Sequence, residues 1–130
     1  MAKPQITALP VNNWSAEKTV DLGTADASTI AVGAAAGYVY GLYPDADLKR
    51  LYLAVYTTGL GELLRTVLLD TNYYAAQGGI VVLGNTLLVF TATSSAGGTE
   101  RTRMHRLTLD GQLVETKTIT AKITEDWIAA

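Results

Sequence analysis

Short runs of alternating apolar and polar residues, each closed by turn-prone residues, fill this chain and predict strands throughout. Residues 5–11 and 14–22 flank Asn12-Asn13, a pair that tolerates the left-handed backbone of a tight turn. Residues 29–33 form a short apolar run. The small-residue passage 34–37 behind it lies between Gly33 and Gly37, too short a span to nucleate a helix. A strand over 38–43, a turn over 44–47 and a strand over 50–57 make the clearest meander. In the last of these, Leu51, Leu53 and Val55 share one face and Tyr52, Ala54 and Tyr56 the other. Both faces are apolar, which predicts a central strand covered on both sides. A further strand covers 62–69. The order then repeats: 79–83, a turn at Gly84-Asn85, 86–93, a longer loop over 94–100, and 101–109.

One phrase marks the repeat. Lys18-Thr19-Val20, Arg65-Thr66-Val67 and Lys117-Thr118-Ile119 each place a basic residue, Thr and a β-branched residue behind a turn-like stretch. Lys18 to Arg65 is 47 positions and Arg65 to Lys117 is 52. At the larger offset Leu51, Leu53 and Val55 fall on Arg103, His105 and Leu107. The chain therefore reads as a single all-β domain over 1–130, built of antiparallel four-stranded meander units. Units 23–70 and 71–120 are complete; 1–22 and 121–130 are partial, with a last strand expected over 123–129.

The stretches Gly61-Glu62-Leu63-Leu64-Arg65-Thr66-Val67 and Asp110-Gly111-Gln112-Leu113-Val114-Glu115-Thr116 resemble the outer hairpin of β-propeller blades. No Trp-Asp, Kelch or calcium-repeat signature accompanies them. Propellers close with four to eight blades, so the resemblance implies a propeller-blade-like ring completed by oligomerisation. A strand of one copy would then complete a unit of the next. The single-chain alternative is a β-trefoil or β-prism.

Composition narrows the function. Apolar residues make up 48% of the chain and charged residues 17%, a balance that predicts folding throughout. The net charge of −2 offers no basic face for nucleic acid and little repulsion between copies. There are no cysteines, so neither disulfides nor thiolate metal sites are available. Pro4, Gln5 and Asn12-Asn13 interrupt any signal-like apolar run, and no run approaches the ~20 residues of a membrane span. Cytoplasmic synthesis without a membrane partner is expected.

Candidate chemistry is sparse. His105 is the sole histidine and stands in no nucleophile pattern, so it reads as a half-buried strand residue. Asp45, Asp47 and Asp70 carry calcium-type oxygens but lack the rest of a loop, and Pro44-Asp45 opens an ordinary turn. Arg101 and Arg103 share a face opposite Arg106, with Glu100 and Glu115 near enough to compensate, and read as a solvated strand edge. Nothing in the spacing of Asp45, Asp47, Glu125 and Asp126 indicates a catalytic cleft. No cofactor or metal is expected.

The aromatics are the most suggestive group. Tyr38, Tyr40, Tyr52, Tyr56, Tyr73 and Tyr74, with Trp14 and Trp127, are candidate interface or ligand-binding residues, because an apolar body with a polar tip suits protein and sugar surfaces. Trp14 and Trp127 are expected to pack as a clasp between the two partial units. The favoured function is a non-enzymatic structural module that self-associates into homo-oligomers, such as a component of a virion or similar particle together with its other structural proteins. The alternative is a small lectin with repeated aromatic sites for glycan.

Overall fold

The computed structural model describes residues 3–8, 18–22, 29–45, 49–71, 75–94 and 100–119. Ten strands follow one another among these residues: β1 (Gln5–Ala8), β2 (Lys18–Asp21), β3 (Ala31–Ala35), β4 (Tyr38–Asp45), β5 (Arg50–Thr57), β6 (Leu63–Thr71), β7 (Ala75–Leu83), β8 (Thr86–Ser94), β9 (Glu100–Thr108) and β10 (Leu113–Ile119). A 3₁₀ turn, Thr58–Leu60, joins β5 to β6. No helix among the described residues is long and apolar enough to cross a membrane.

The strands form a β1–β2 hairpin and two four-stranded antiparallel meanders, β3–β4–β5–β6 and β7–β8–β9–β10. Each strand pairs with its sequence neighbour, as the alternating pattern predicts. The two-residue turns between β3 and β4 and between β7 and β8 depend on Gly37 at φ 90° and Gly84 at φ 58°, a region that side-chain-bearing residues avoid. Both β5–β6 and β9–β10 are closed by a threonine clasp. The Thr57 amide donates to the Glu62 carbonyl at 2.9 Å and its Oγ1 accepts from the Glu62 amide at 2.8 Å. Thr108 and Gln112 repeat both bonds at 2.9 Å. In β6 and β10 alike one residue, Leu64 or Val114, is left unopposed as a bulge.

These landmarks correct the repeat register. The shared turns align Ala31–Ala35 with 79–83, two positions beyond the expected 29–33. Thr57 matches Thr108, an offset of 51 where 52 was expected. A slip of one residue exchanges the two faces of a strand. His105 therefore occupies the place of Ala54, and Met104 that of Leu53. The bulges align Thr66 with Thr116 where Thr118 was expected. Pro44 and Asp45, expected in a turn, instead continue β4 opposite Leu51 and Arg50. The strand expected over 123–129 lies outside the described residues.

The three sheets stack in chain order. The face of β3–β6 that carries Tyr40, Leu42, Leu51, Leu53 and Val55, all fully buried, packs on Leu87, Val89 and Leu107 of the next sheet. We call this the front of the sheet. Its back, with Tyr43, Ala54 and Tyr56, is covered by Ile6 and Leu22 around the β1–β2 hairpin and by Leu60. β5 is thus covered on both sides, as its sequence predicts. A trefoil or prism would gather its sheets around one core, whereas here the central sheet separates two.

The larger sheets come closest along β3 and β7. Gly33 permits this, since a Cβ there would lie 2.7 Å from Ile80 Cγ2. Farther out, the Tyr40 hydroxyl donates to the Leu109 carbonyl at 2.5 Å, tying β4 to the β9–β10 turn. Burial, with smaller contributions from Tyr38 and Asp110, raises the Tyr40 pKa to about 12, so the hydroxyl remains a donor at any ordinary pH. Tyr40→Phe strands that carbonyl and is expected to lower stability by about 1 kcal/mol. An unchanged urea midpoint would show that the tie contributes nothing.

Candidate functional site

Of the predicted tyrosines, Tyr40 and Tyr56 turn inward, and Tyr38 and Tyr52 are half-buried. Tyr40 is fully buried and stacks on half-buried Tyr38 at 6.4 Å between ring centroids. Tyr56 is buried in the second core. Half-buried Tyr52 stacks on Tyr43 at 5.6 Å. Burial raises the pKa of Tyr43 and of Tyr56. Tyr40 presents no surface from which to meet a ligand. Trp14, Tyr73, Tyr74 and Trp127 lie outside the described residues, as do Asp47, Glu125 and Asp126.

Polar chemistry gathers between the two large sheets. Asp70, near the end of β6, is 3% exposed. Its carboxylate accepts hydrogen bonds from Thr93 Oγ1 at 2.9 Å, from the Thr71 amide at 2.8 Å and from Arg101, and Arg103 Nη1 stands 3.6 Å away. Arg101 also donates to the Thr71 carbonyl at 3.2 Å. Arg101 and Arg103 are therefore an inter-sheet ion cluster, which corrects their expected place on a solvated edge. Inward alternation from the β8–β9 register puts them on the same face as Thr91, Thr93 and His105. Arg106, on the opposite face, pairs with Glu115 at 3.0 Å as its position suggests. With Asp70 held by two guanidinium groups, the calcium reading of Asp45, Asp47 and Asp70 loses that carboxylate; no group of three candidate metal ligands occurs among the described residues.

His105 is fully buried, which corrects the half-buried expectation. Its Nε2 lies 2.9 Å from Thr91 Oγ1 and its Nδ1 3.0 Å from Thr116 Oγ1. A neutral imidazole meets both hydroxyls, donating through one nitrogen and accepting through the other. Burial pushes its pKa from 6.5 down to about 4; Asp70 acts upward and Arg103 downward. Thr91 is 1% exposed. A nucleophile must reach its substrate and its base needs an orienting partner; this buried hydroxyl and hydroxyl-held imidazole pin strands together instead. Thr116 belongs to a repeated row on the backs of the sheets. Thr19 bonds Thr7 at 2.9 Å, Thr66 bonds Tyr43, and Thr116 bonds His105.

A cleft of about 220 Å³ opens beside the ion cluster, lined by Ala76, Gln77, Thr93, Ser94, Glu100, Arg101 and Thr102 among others. The more conspicuous surface is apolar. Register places Val81, Leu83, Leu88, Phe90 and Met104 on the front of the β7–β10 sheet, Leu88, Phe90 and Met104 standing where Tyr40, Leu42 and Leu53 stand in the preceding one. The latter three are fully buried, whereas Leu88, Phe90 and Met104 are half-buried and Leu83 is 59% exposed. Val32, on the back of β3, takes the place that Ile80 has in β7, and it is 58% exposed. The bulged strands add Leu63, Leu64, Leu113 and Val114 as exposed apolar residues along the outer edge. Comparison with protein-family models, with curated proteins and with solved structures finds no match to this chain.

Proposed function

We propose that the chain is a non-enzymatic structural module that works by self-association, its blade-like sheets continuing the stack from copy to copy in a larger closed assembly such as a virion component. One observation carries this reading. The front that fully buries Tyr40, Leu42 and Leu53 in the β3–β6 unit recurs in the β7–β10 unit with Leu88, Phe90 and Met104 only half-buried in their places, the Arg106–Glu115 pair beside them, and no sheet stacked on it among the described residues. Uncovered apolar surface with a charged border of this kind suits an interaction site, and the net charge of −2 opposes association only weakly. The buried His105 and the guanidinium-bound Asp70 favour structure over catalysis. The inward turn of Tyr40 and Tyr56 leaves the glycan reading without repeated aromatic platforms among the described residues.

Sedimentation velocity at tens of micromolar is expected to show a species heavier than 13.8 kDa as the main component. A single monomer boundary that shifts only on addition of an oligosaccharide would replace this reading with the lectin.

A further inference from the structure

We infer that the polar end of the β7–β9 front binds a single sugar ring, with Gln77, Glu100 and Thr102 hydrogen-bonding its hydroxyls. The inference does not depend on self-association. It concerns one site, not the repeated set of a lectin.

Register places the site. Gln77, Ala92 and Thr102 stand opposite one another in one row across β7, β8 and β9, and Ser94 and Glu100 pair in the next row out. All five line the cleft of about 220 Å³. Strand alternation puts all five on the front, with the Arg101 side chain turned to the other face. The preceding sheet shows the same positions when they are closed. There Pro44 and Leu51 take the places of Ala92 and Thr102, and Leu51 is fully buried in the core between the sheets. In the later sheet a methyl group and a hydroxyl stand in those places. Thr102 is 5% exposed, and its hydroxyl makes no hydrogen bond among the described residues. A polar group so withdrawn from water gains from an incoming partner.

The lining selects the ligand. The Gln77 amide and the Ser94 and Thr102 hydroxyls both donate and accept, and the Glu100 carboxylate accepts. That set matches the hydroxyls of a sugar, which do both. An ammonium offers donors alone, and an anion would meet the charge of Glu100. The cavity is smaller than the ~300 Å³ at which pockets for drug-sized ligands begin, so it takes one ring. Phe90 follows Ala92 on the same face, about 7 Å along the strand, half-buried and opposite Met104. An aromatic side chain beside hydrogen-bonding groups suits a ring with an apolar C–H face and a polar rim.

Amide NMR of the isotope-labelled chain tests the site, with glucose, galactose, mannose, N-acetylglucosamine and methylammonium added in turn at millimolar concentration. At least one sugar is expected to shift the amides of Gln77, Ala92, Ser94 and Thr102 and to saturate. Two variants are compared with the parent. Glu100→Gln changes an exposed residue, so folding is not at stake, and Thr102→Val keeps the shape of the side chain while removing the hydroxyl. Each is expected to weaken the binding about tenfold, with amide positions elsewhere unchanged. No shift with any of the four sugars would overturn the site. Shifts confined to other residues, or binding that both variants retain in full, would overturn it as well. Saturation by methylammonium alone would replace the sugar with an amine.

Discussion

Replacing Asp70 with Asn is expected to destabilise the protein by about 3 kcal/mol. The substitution keeps the size of the side chain and removes only the charge. Arg101 and Arg103 then face each other's positive charge across the sheet interface with no carboxylate between them. Arg101 Nε and Arg103 Nε are already buried without a hydrogen-bond partner among the described residues, so the cluster has no spare acceptor. The lower part of the usual range for a broken buried pair applies, because the two arginine side chains remain 38% and 27% exposed and regain some water. Urea unfolding reads the loss directly as a lower midpoint at unchanged slope. Converting Asp70, Arg101 and Arg103 together to apolar residues of similar size should restore most of it, since that removes the desolvation cost as well as the attraction. A loss well under 1 kcal/mol in Asp70→Asn would mean that water, and not the sheet interface, solvates the guanidinium groups.

Acidification from pH 7 to pH 4 is expected to cost about 3 kcal/mol through His105 alone. The folded pKa is about 4, below the value of 6.5 that the residue takes when unfolded. The unfolded chain therefore binds a proton as pH falls through 6.5, and the folded chain does not until about 4. Stability is full above 6.5 and is lost between those two values. The fold typically has only 5–15 kcal/mol in hand, so the loss is a large fraction of it. Asp110 acts in a different window. Hydrogen bonding from Thr108 holds its pKa below the usual 3.8, so its contribution disappears only under more acid conditions. His105→Gln keeps a donor and an acceptor for Thr91 and Thr116 but cannot take up the proton. Its urea midpoint should change much less than the parent's between pH 7 and pH 4. Equal slopes in the two proteins would assign the acid sensitivity to other groups.

Strand existence and order were legible from alternation and turn chemistry. The β5 pattern, apolar on both faces, identified the central strand without any knowledge of its neighbours. At the 47-position offset of the Lys18 and Arg65 phrases, Val20 and Val67 each pair with a core residue, Ile6 and Leu53. The third phrase was misplaced for a physical reason. Loops and bulges change the spacing along a unit, from 48 positions at Tyr38 and Thr86 to 51 at Thr57 and Thr108 and 50 at Thr66 and Thr116. No fixed offset follows such a repeat. The threonine clasps at Thr57 and Thr108 would have fixed the register, since each lies four or five residues before the Gln or Glu it holds.

The site was less legible than the fold. Alternation placed Tyr52 and Tyr56 on one face, but only the stacking of sheets decides which faces are covered. The hydroxyl of Tyr40 finds its acceptor 69 residues away, and Arg101 reaches Asp70 across 31. Pairings at that range leave no local trace. A signal was nevertheless present in Thr91, Thr93, Arg101, Arg103 and His105, which share the inward face once the β8–β9 register is known.

Native mass by light scattering, measured at two concentrations a hundredfold apart, addresses the central claim of self-association most directly. A closed assembly predicts one fixed multiple of 13.8 kDa at both. A mass of 13.8 kDa at both would contradict it, and would mean that the front of the β7–β10 sheet is covered from within a single chain or stands bare in solution.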